Sequence, residues 1–161
     1  MPNKLRPKLI LIDVSFVFFL ITGMKRLYLA SQSEIYDAMI QEDSKKLESL
    51  TDSTAGEVIF DVYNWTLAFL AIAVLIVGLI NWRYKTSIVN SILTLIIAFL
   101  FFPLGLINGA FIPDLFNSFC YFFSDEMGMA FMIGGLILCG IALMLLSFSL
   151  DINRQIIHSK P

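Results

Sequence analysis

Four long apolar runs set the terms for everything else this chain can do: Leu9 to about Leu29, Val58–Ile80, Ile88–Phe111 and Met127–Leu150. A hydrocarbon core about 30 Å thick is crossed by about 20 helical residues, and each run approaches or exceeds that length. Lipid offers no water to backbone N–H and C=O groups, so a spanning segment must be a helix or part of a closed barrel. Barrel strands alternate apolar and polar residues over stretches of about ten, and these runs do not alternate. Helices are therefore expected. The runs take up more than half of the 161 residues, and a chain 58% hydrophobic and 15% charged is too apolar for an ordinary soluble domain. No room is left for a second core. The expectation is an all-α, integral membrane four-helix bundle forming a single domain over 1–161, with spans at about 9–29, 58–80, 88–111 and 127–150.

Charge gives this bundle a direction. Lys4, Arg6 and Lys8 precede the first run, Arg83 and Lys85 sit in the tight turn between the second and third, and Arg154 and Lys160 follow the fourth. The opposite side holds Lys25, Arg26, Lys45 and Lys46, and 112–126 has no basic residue. Positive residues favour the cytoplasmic side, which puts both termini there. Eleven of the thirteen acidic residues then lie outside or at the outer boundary. The first run resembles a secretory signal peptide, but cutting after Ala30 would place Tyr28 at the −3 position, where a small residue is needed. It is read as a retained span. The location that follows is a cell membrane, plasma or bacterial inner, crossed several times.

Two segments between the spans carry their own patterns. In the outer loop 31–57, Ile35, Met39, Leu47 and Leu50 recur at roughly helical spacing among Glu, Asp and Lys, which predicts one loose amphipathic helix capping the bundle. Between the third and fourth spans, Pro113-Asp114 has the form of a helix start and is followed by Phe116, Phe119, Tyr121, Phe122 and Phe123. That pattern predicts a short interfacial aromatic helix on the outer leaflet, with a re-entrant segment as the alternative. In the fourth span, Ala130/Gly134 and Gly135/Cys139 form small-xxx-small pairs, with Gly140 following, and such pairs let helices approach closely in lipid. They could serve the bundle or a contact between subunits.

Ionisable groups within a span call for an explanation. Asp13 stands four residues into the first run, and Ser87, Asn90, Ser91 and Thr94 form one stripe at the start of the third. Together they predict an inner polar pocket that binds a cation, takes up a proton, or fixes helix register by hydrogen bonding. At the other boundary, Lys25 and Arg26 end the first run while Glu57 and Asp61 open the second. An outer charge cluster is expected, in which each ion offsets the other's desolvation. Between the two clusters no charged side chain occurs, and Cys139 is the one weakly polar group, which argues against a proton-coupled pump or a carrier with a midplane site.

Other chemistry is not suggested. Cys120 and Cys139 make no CxxC motif and His158 is the lone histidine, so thiol redox, haem and zinc chemistry find no ligand set. No phosphate-binding loop or nucleophile motif occurs. The inner basic residues are few and hug the membrane, which suits lipid headgroups and not nucleic acid. The sequence therefore leads to a non-enzymatic, cofactor-free membrane subunit, acting as scaffold, sensor or accessory component. Its expected partners are lipids, further copies of itself, or a membrane or cytosolic protein. The alternative is an oligomeric channel or small-solute transporter with a polar pocket around Asp13.

Overall fold

The computed structural model describes residues 6–84, 88–101 and 111–158, and those residues fold into seven helices. They are α1 (Pro7–Ser31), α2 (Ser33–Ile40), α3 (Ser44–Leu50), α4 (Ala55–Arg83), α5 (Ile88–Phe101), α6 (Phe111–Tyr121) and α7 (Met127–His158). Among them, Pro7–Ser31, Ala55–Arg83 and Met127–Gln155 are long and apolar enough to cross a membrane. Within the third expected span the described helix is Ile88–Phe101. Its 14 residues cover about 21 Å at 1.5 Å per residue, short of a full crossing, and 102–110 lie outside the described residues.

Helix α1 is the axis of the fold. It packs against α7 along much of its length and also against α4, α5 and α2. Its buried residues include Leu9, Asp13, Phe16, Val17, Ile21, Gly23 and Arg26, whose three- and four-residue spacings turn nearly one whole face inward. The outer helices carry the exposed apolar surface: Phe60, Leu75 and Trp82 on α4, Ile92 and Phe99 on α5, Leu143 and Phe148 on α7. Apolar surface on this scale would drive aggregation in water and is at home in lipid. Inside, Phe16, Val17, Ile21, Leu70, Ala73, Val77, Ala98 and Ala142 form one continuous apolar core contributed by α1, α4, α5 and α7.

Small residues allow the close approach of α1 to α7. A Cβ on Gly23 would lie 2.7 Å from Cys139 Sγ and 2.9 Å from the Gly135 carbonyl oxygen, and one on Gly135 would meet Leu27 at 2.9 Å. The second small pair is used as well, because Ala130 is fully buried and Gly134 lies directly against Cys120 of α6. Both small-residue pairs of α7 are thus occupied within the chain, and of the α7 glycines Gly140 alone faces open space.

The loop 31–57 contains two helices where a single one was expected. Glu42 separates them at φ 55°, in the left-handed region, and the Asp43 side chain then accepts from Lys46 N at 3.1 Å to start α3. Helix α2 is tied down: the Tyr36 hydroxyl donates to the Val58 carbonyl at 3.3 Å, and Gly128 of α7 sits against Ser33. Burial, with Tyr28 and Asp61 nearby, pushes the Tyr36 phenol up to about 12, so it remains a neutral donor at any ordinary pH. Helix α3 buries no residue. Helix α4 starts on a full capping box, in which Thr54 and Glu57 satisfy each other's backbone N–H groups.

The glycine contacts give a paired prediction. Gly23→Leu should destabilise the fold by at least about 3 kcal/mol, since two of the three nearest atoms, Cys139 N and the Gly135 carbonyl oxygen, are backbone and cannot give way, whereas Gly140→Ala should not destabilise it and should gain up to about 1 kcal/mol of helix propensity. Thermal unfolding in detergent, followed by helical circular dichroism, measures both.

Candidate functional site

At the end of the bundle where α1 begins, four helices turn polar side chains inward. Asp13 of α1, Asn81 of α4, Asn90 and Thr94 of α5, and Ser149 and Asn153 of α7 are all at most 2% exposed. On each helix these residues continue a face that is apolar farther in: Asn81 follows Val77 and Ala73, and Asn90 and Thr94 precede Ala98. Ser149 lies two turns from Ala142, and Asp13 lies one turn from Phe16 and Val17. The polar layer and the apolar core are consecutive storeys of one four-helix interior.

Several contacts fix the layer. Ser149 Oγ donates to Asp13 Oδ1 at 2.6 Å, joining α1 to α7, and Asn153 Nδ2 donates to the Ser149 carbonyl at 3.0 Å. Asn90 Oδ1 accepts from Arg6 N at 3.2 Å, anchoring α5 to the start of α1. Asn81 lies beside the Asp13 carboxylate, yet neither its Oδ1 nor its Nδ2 makes a hydrogen bond of ordinary geometry. Asp13 Oδ2, Asn90 Nδ2 and Thr94 Oγ1 are likewise buried and without a partner. Buried polar atoms in folded proteins are nearly always satisfied, so five unmet atoms in one layer set it apart chemically.

The inner pocket expected from the sequence thus takes shape in part. Asp13, Asn90 and Thr94 are buried at the same end of the bundle, Ser91 is half-buried, and Ser87 lies outside the described residues. Asn81, Ser149 and Asn153 complete the layer. The two asparagines carry no charge and lie just beyond the apolar runs Val58–Ile80 and Met127–Leu150, so the composition of the runs did not mark them.

The opposite end differs from expectation. No ion pair joins Lys25 or Arg26 to Glu57 or Asp61 among the described residues. Glu57 is exposed and spent on its own helix cap, and Asp61 is exposed too. Lys25 is half-buried, while Arg26 is 5% exposed and turns toward α6. Its Nη2 donates to Asn117 Oδ1 at 3.0 Å, its Nη1 donates to the Thr22 carbonyl at 3.2 Å, and its guanidinium lies 5.4 Å from the centre of the Phe116 ring. An amide, a carbonyl and an aromatic face therefore take the place of a carboxylate.

Helix α6, expected as a short interfacial aromatic helix, packs one face against α1 and α7. Phe116 packs on Phe18 and Phe19, at the midpoint of α1, and Cys120 is fully enclosed against Ala130 and Gly134. The aromatic set divides, with Phe116 and Phe119 turned inward and Phe122 85% exposed. Ala98 of α5 reaches the level of Phe16–Ile21, and α6 rises from that level toward the Arg26 end. Pro103, Gly105 and Gly109, between them in the sequence, are the signal that the run Ile88–Phe111 suits a single straight helix poorly.

Among the described residues no cluster of three or more His, Cys, Asp or Glu side chains is placed to hold a metal ion, and both cysteines are free thiols. No protein-family model matches the chain, and comparison with curated proteins and with solved structures gave no significant match.

The Arg26 site makes a testable statement about energetics. Asn117→Ala should cost about 1–3 kcal/mol by depriving a buried cation of a partner. In an Arg26→Met background, the same truncation should cost less than about 0.5 kcal/mol, because the group that needed the amide is gone. A double-mutant cycle on thermal stability measures the coupling.

Proposed function

We propose that this chain is a non-enzymatic, four-crossing protein of the cell membrane, with both ends cytoplasmic, that serves as a sensor or accessory subunit of a membrane complex. The supporting observation is the sealed interior: the polar layer around Asp13 ends at the apolar core of Phe16, Val17, Ile21, Leu70, Ala73, Val77, Ala98 and Ala142. A ligand could reach the layer from one end but would meet no polar group with which to continue. A conduit through one subunit would need such groups. In this reading α5 and α6 together make the third crossing, and α2 and α3 form an acidic cap outside. The exposed apolar faces of α4, α5 and α7 meet lipid, further copies of the chain, or a membrane partner.

A second reading, an oligomeric channel or carrier, draws support from Pro103, Gly105 and Gly109 between α5 and α6 in the sequence, since Gly/Pro-interrupted spans frame substrate sites in transporters. Flux measurements separate the two. Purified protein in proteoliposomes should pass sodium, potassium and protons no faster than empty vesicles, and saturable flux would establish the second reading instead. For the topology, cysteines introduced as Ser49→Cys and Arg154→Cys should label oppositely with a membrane-impermeant maleimide on intact cells. Ser49→Cys should react at once, and Arg154→Cys only after permeabilisation, with the enclosed native cysteines as background.

A further inference from the structure

The polar layer at the start of α1 has the wrong inventory for a purely structural hydrogen-bond network. A network that only fixes helix register would be expected to satisfy its own members, since each buried polar atom left alone opposes folding. Here three unpartnered atoms are oxygens, Asp13 Oδ2, Asn81 Oδ1 and Thr94 Oγ1. They come from three different helices. Ser149 Oγ adds a fourth helix: it spends its hydrogen on Asp13 Oδ1 and keeps its lone pairs. Helix geometry places Thr94 close to this group in depth. Asn90 is level with Arg6, Asp13 is about 10 Å deeper along α1, and Thr94 is about 6 Å deeper along α5.

We propose that Asp13, Asn81, Thr94 and Ser149 bind one dehydrated alkali cation, held by oxygen atoms from all four core helices. The ligand class follows from charge and donor type. Carboxylate, amide carbonyl and hydroxyl oxygens suit hard cations, and the absence of a His/Cys/Asp/Glu cluster among the described residues disfavours zinc and other transition metals. One carboxylate balances one positive charge. A divalent ion would leave excess charge beside Phe16 and Val17, where it has no counter-ion. The Asn81 amide can turn either its carbonyl or its amino group to the site, and a cation selects the carbonyl. Bound there, the ion ties α1, α4, α5 and α7 together at a single point, so occupancy is read out as tightness of the whole bundle.

This inference deepens the sensor reading by naming its input, and the site can be tested without reference to transport. The unfolding midpoint of the purified protein in neutral detergent should rise saturably, by about 3 °C or more, when sodium chloride replaces choline chloride at constant ionic strength. Sodium-22 should bind with a stoichiometry near one per chain. Asp13→Asn should fold, because it removes an unpaired buried charge, and should lose both effects. Thr94→Val should weaken sodium binding at least tenfold. Equal midpoints in sodium and choline, with no sodium-22 retained by the wild-type protein, would overturn the proposal. Sodium stabilisation that persists in Asp13→Asn would also overturn it, by placing the ion elsewhere. A midpoint that follows pH alone would assign the layer to a proton. Failure of any of these leaves the flux result of the sensor reading untouched, whereas flux with sodium binding would refute the sensor reading alone and flux without it would refute both.

Discussion

The contact between α1 and α7 at Gly23, Gly135 and Cys139 is the constraint on which the remaining structure depends. Lipid is as apolar as a leucine side chain, so burying leucine against another helix gains little in a membrane, and helices associate by backbone proximity and polar contacts. Gly23 and Gly135 provide the first, leaving no space for a Cβ on either side. The Ser149–Asp13 hydrogen bond provides the second, farther along the same pair. With α1 held at two levels, its remaining inward residues are fixed in azimuth. Arg26 must then find partners on α6, and Asp13 must sit among α4 and α5. The polar groups at the two ends are thus positioned by a seam of residues that have almost no side chains.

Much of this was legible in the sequence, for identifiable reasons. Spans one, two and four announce themselves by length and hydropathy, and helices of the expected kind occupy them. Asp13 stood out because a carboxylate in an apolar run is costly, and the Asn90/Thr94 stripe because its spacing keeps to one helical face. Asn81, Asn117 and Asn153 were hidden because a neutral amide leaves no charge signature, and Asn81 and Asn153 lie just beyond the apolar runs. Charge complementarity suggested Glu57 and Asp61 as partners for Arg26. It could not foresee that Glu57 is more usefully spent on the α4 capping box, or that the guanidinium meets an amide, a carbonyl and the face of Phe116 in place of a carboxylate, with Nε left without a partner.

The run from Ile88 to Phe111 is where hydropathy alone says least. Average apolarity measures whether a segment can enter lipid, not whether it can be one straight helix. Helix α5 ends its described course at Phe101, and α6 supplies Asn117, Phe116 and Cys120 to the interior. The aromatic residues of α6 looked like a headgroup anchor because their spacing fits that role as well as it fits packing. Small residues on the facing helix receive its inward face: Ala130 and Gly134 open a slot on α7 that Cys120 fills.

The enclosure of α1 also bears on how the protein comes to be made. The helix that ends up most surrounded precedes all its partners in the chain, and the helix that completes its burial begins only at Met127. During synthesis α1 must reside in the bilayer with Asp13 and Arg26 facing lipid or the insertion machinery, since Ser149 and Asn117 do not yet exist. A transmembrane segment bearing two ionisable groups is held only loosely by hydrophobicity. Its residence is therefore provisional until α6 and α7 arrive, and truncation before Met127 would leave a chain whose first helix is the one least suited to remain in lipid alone.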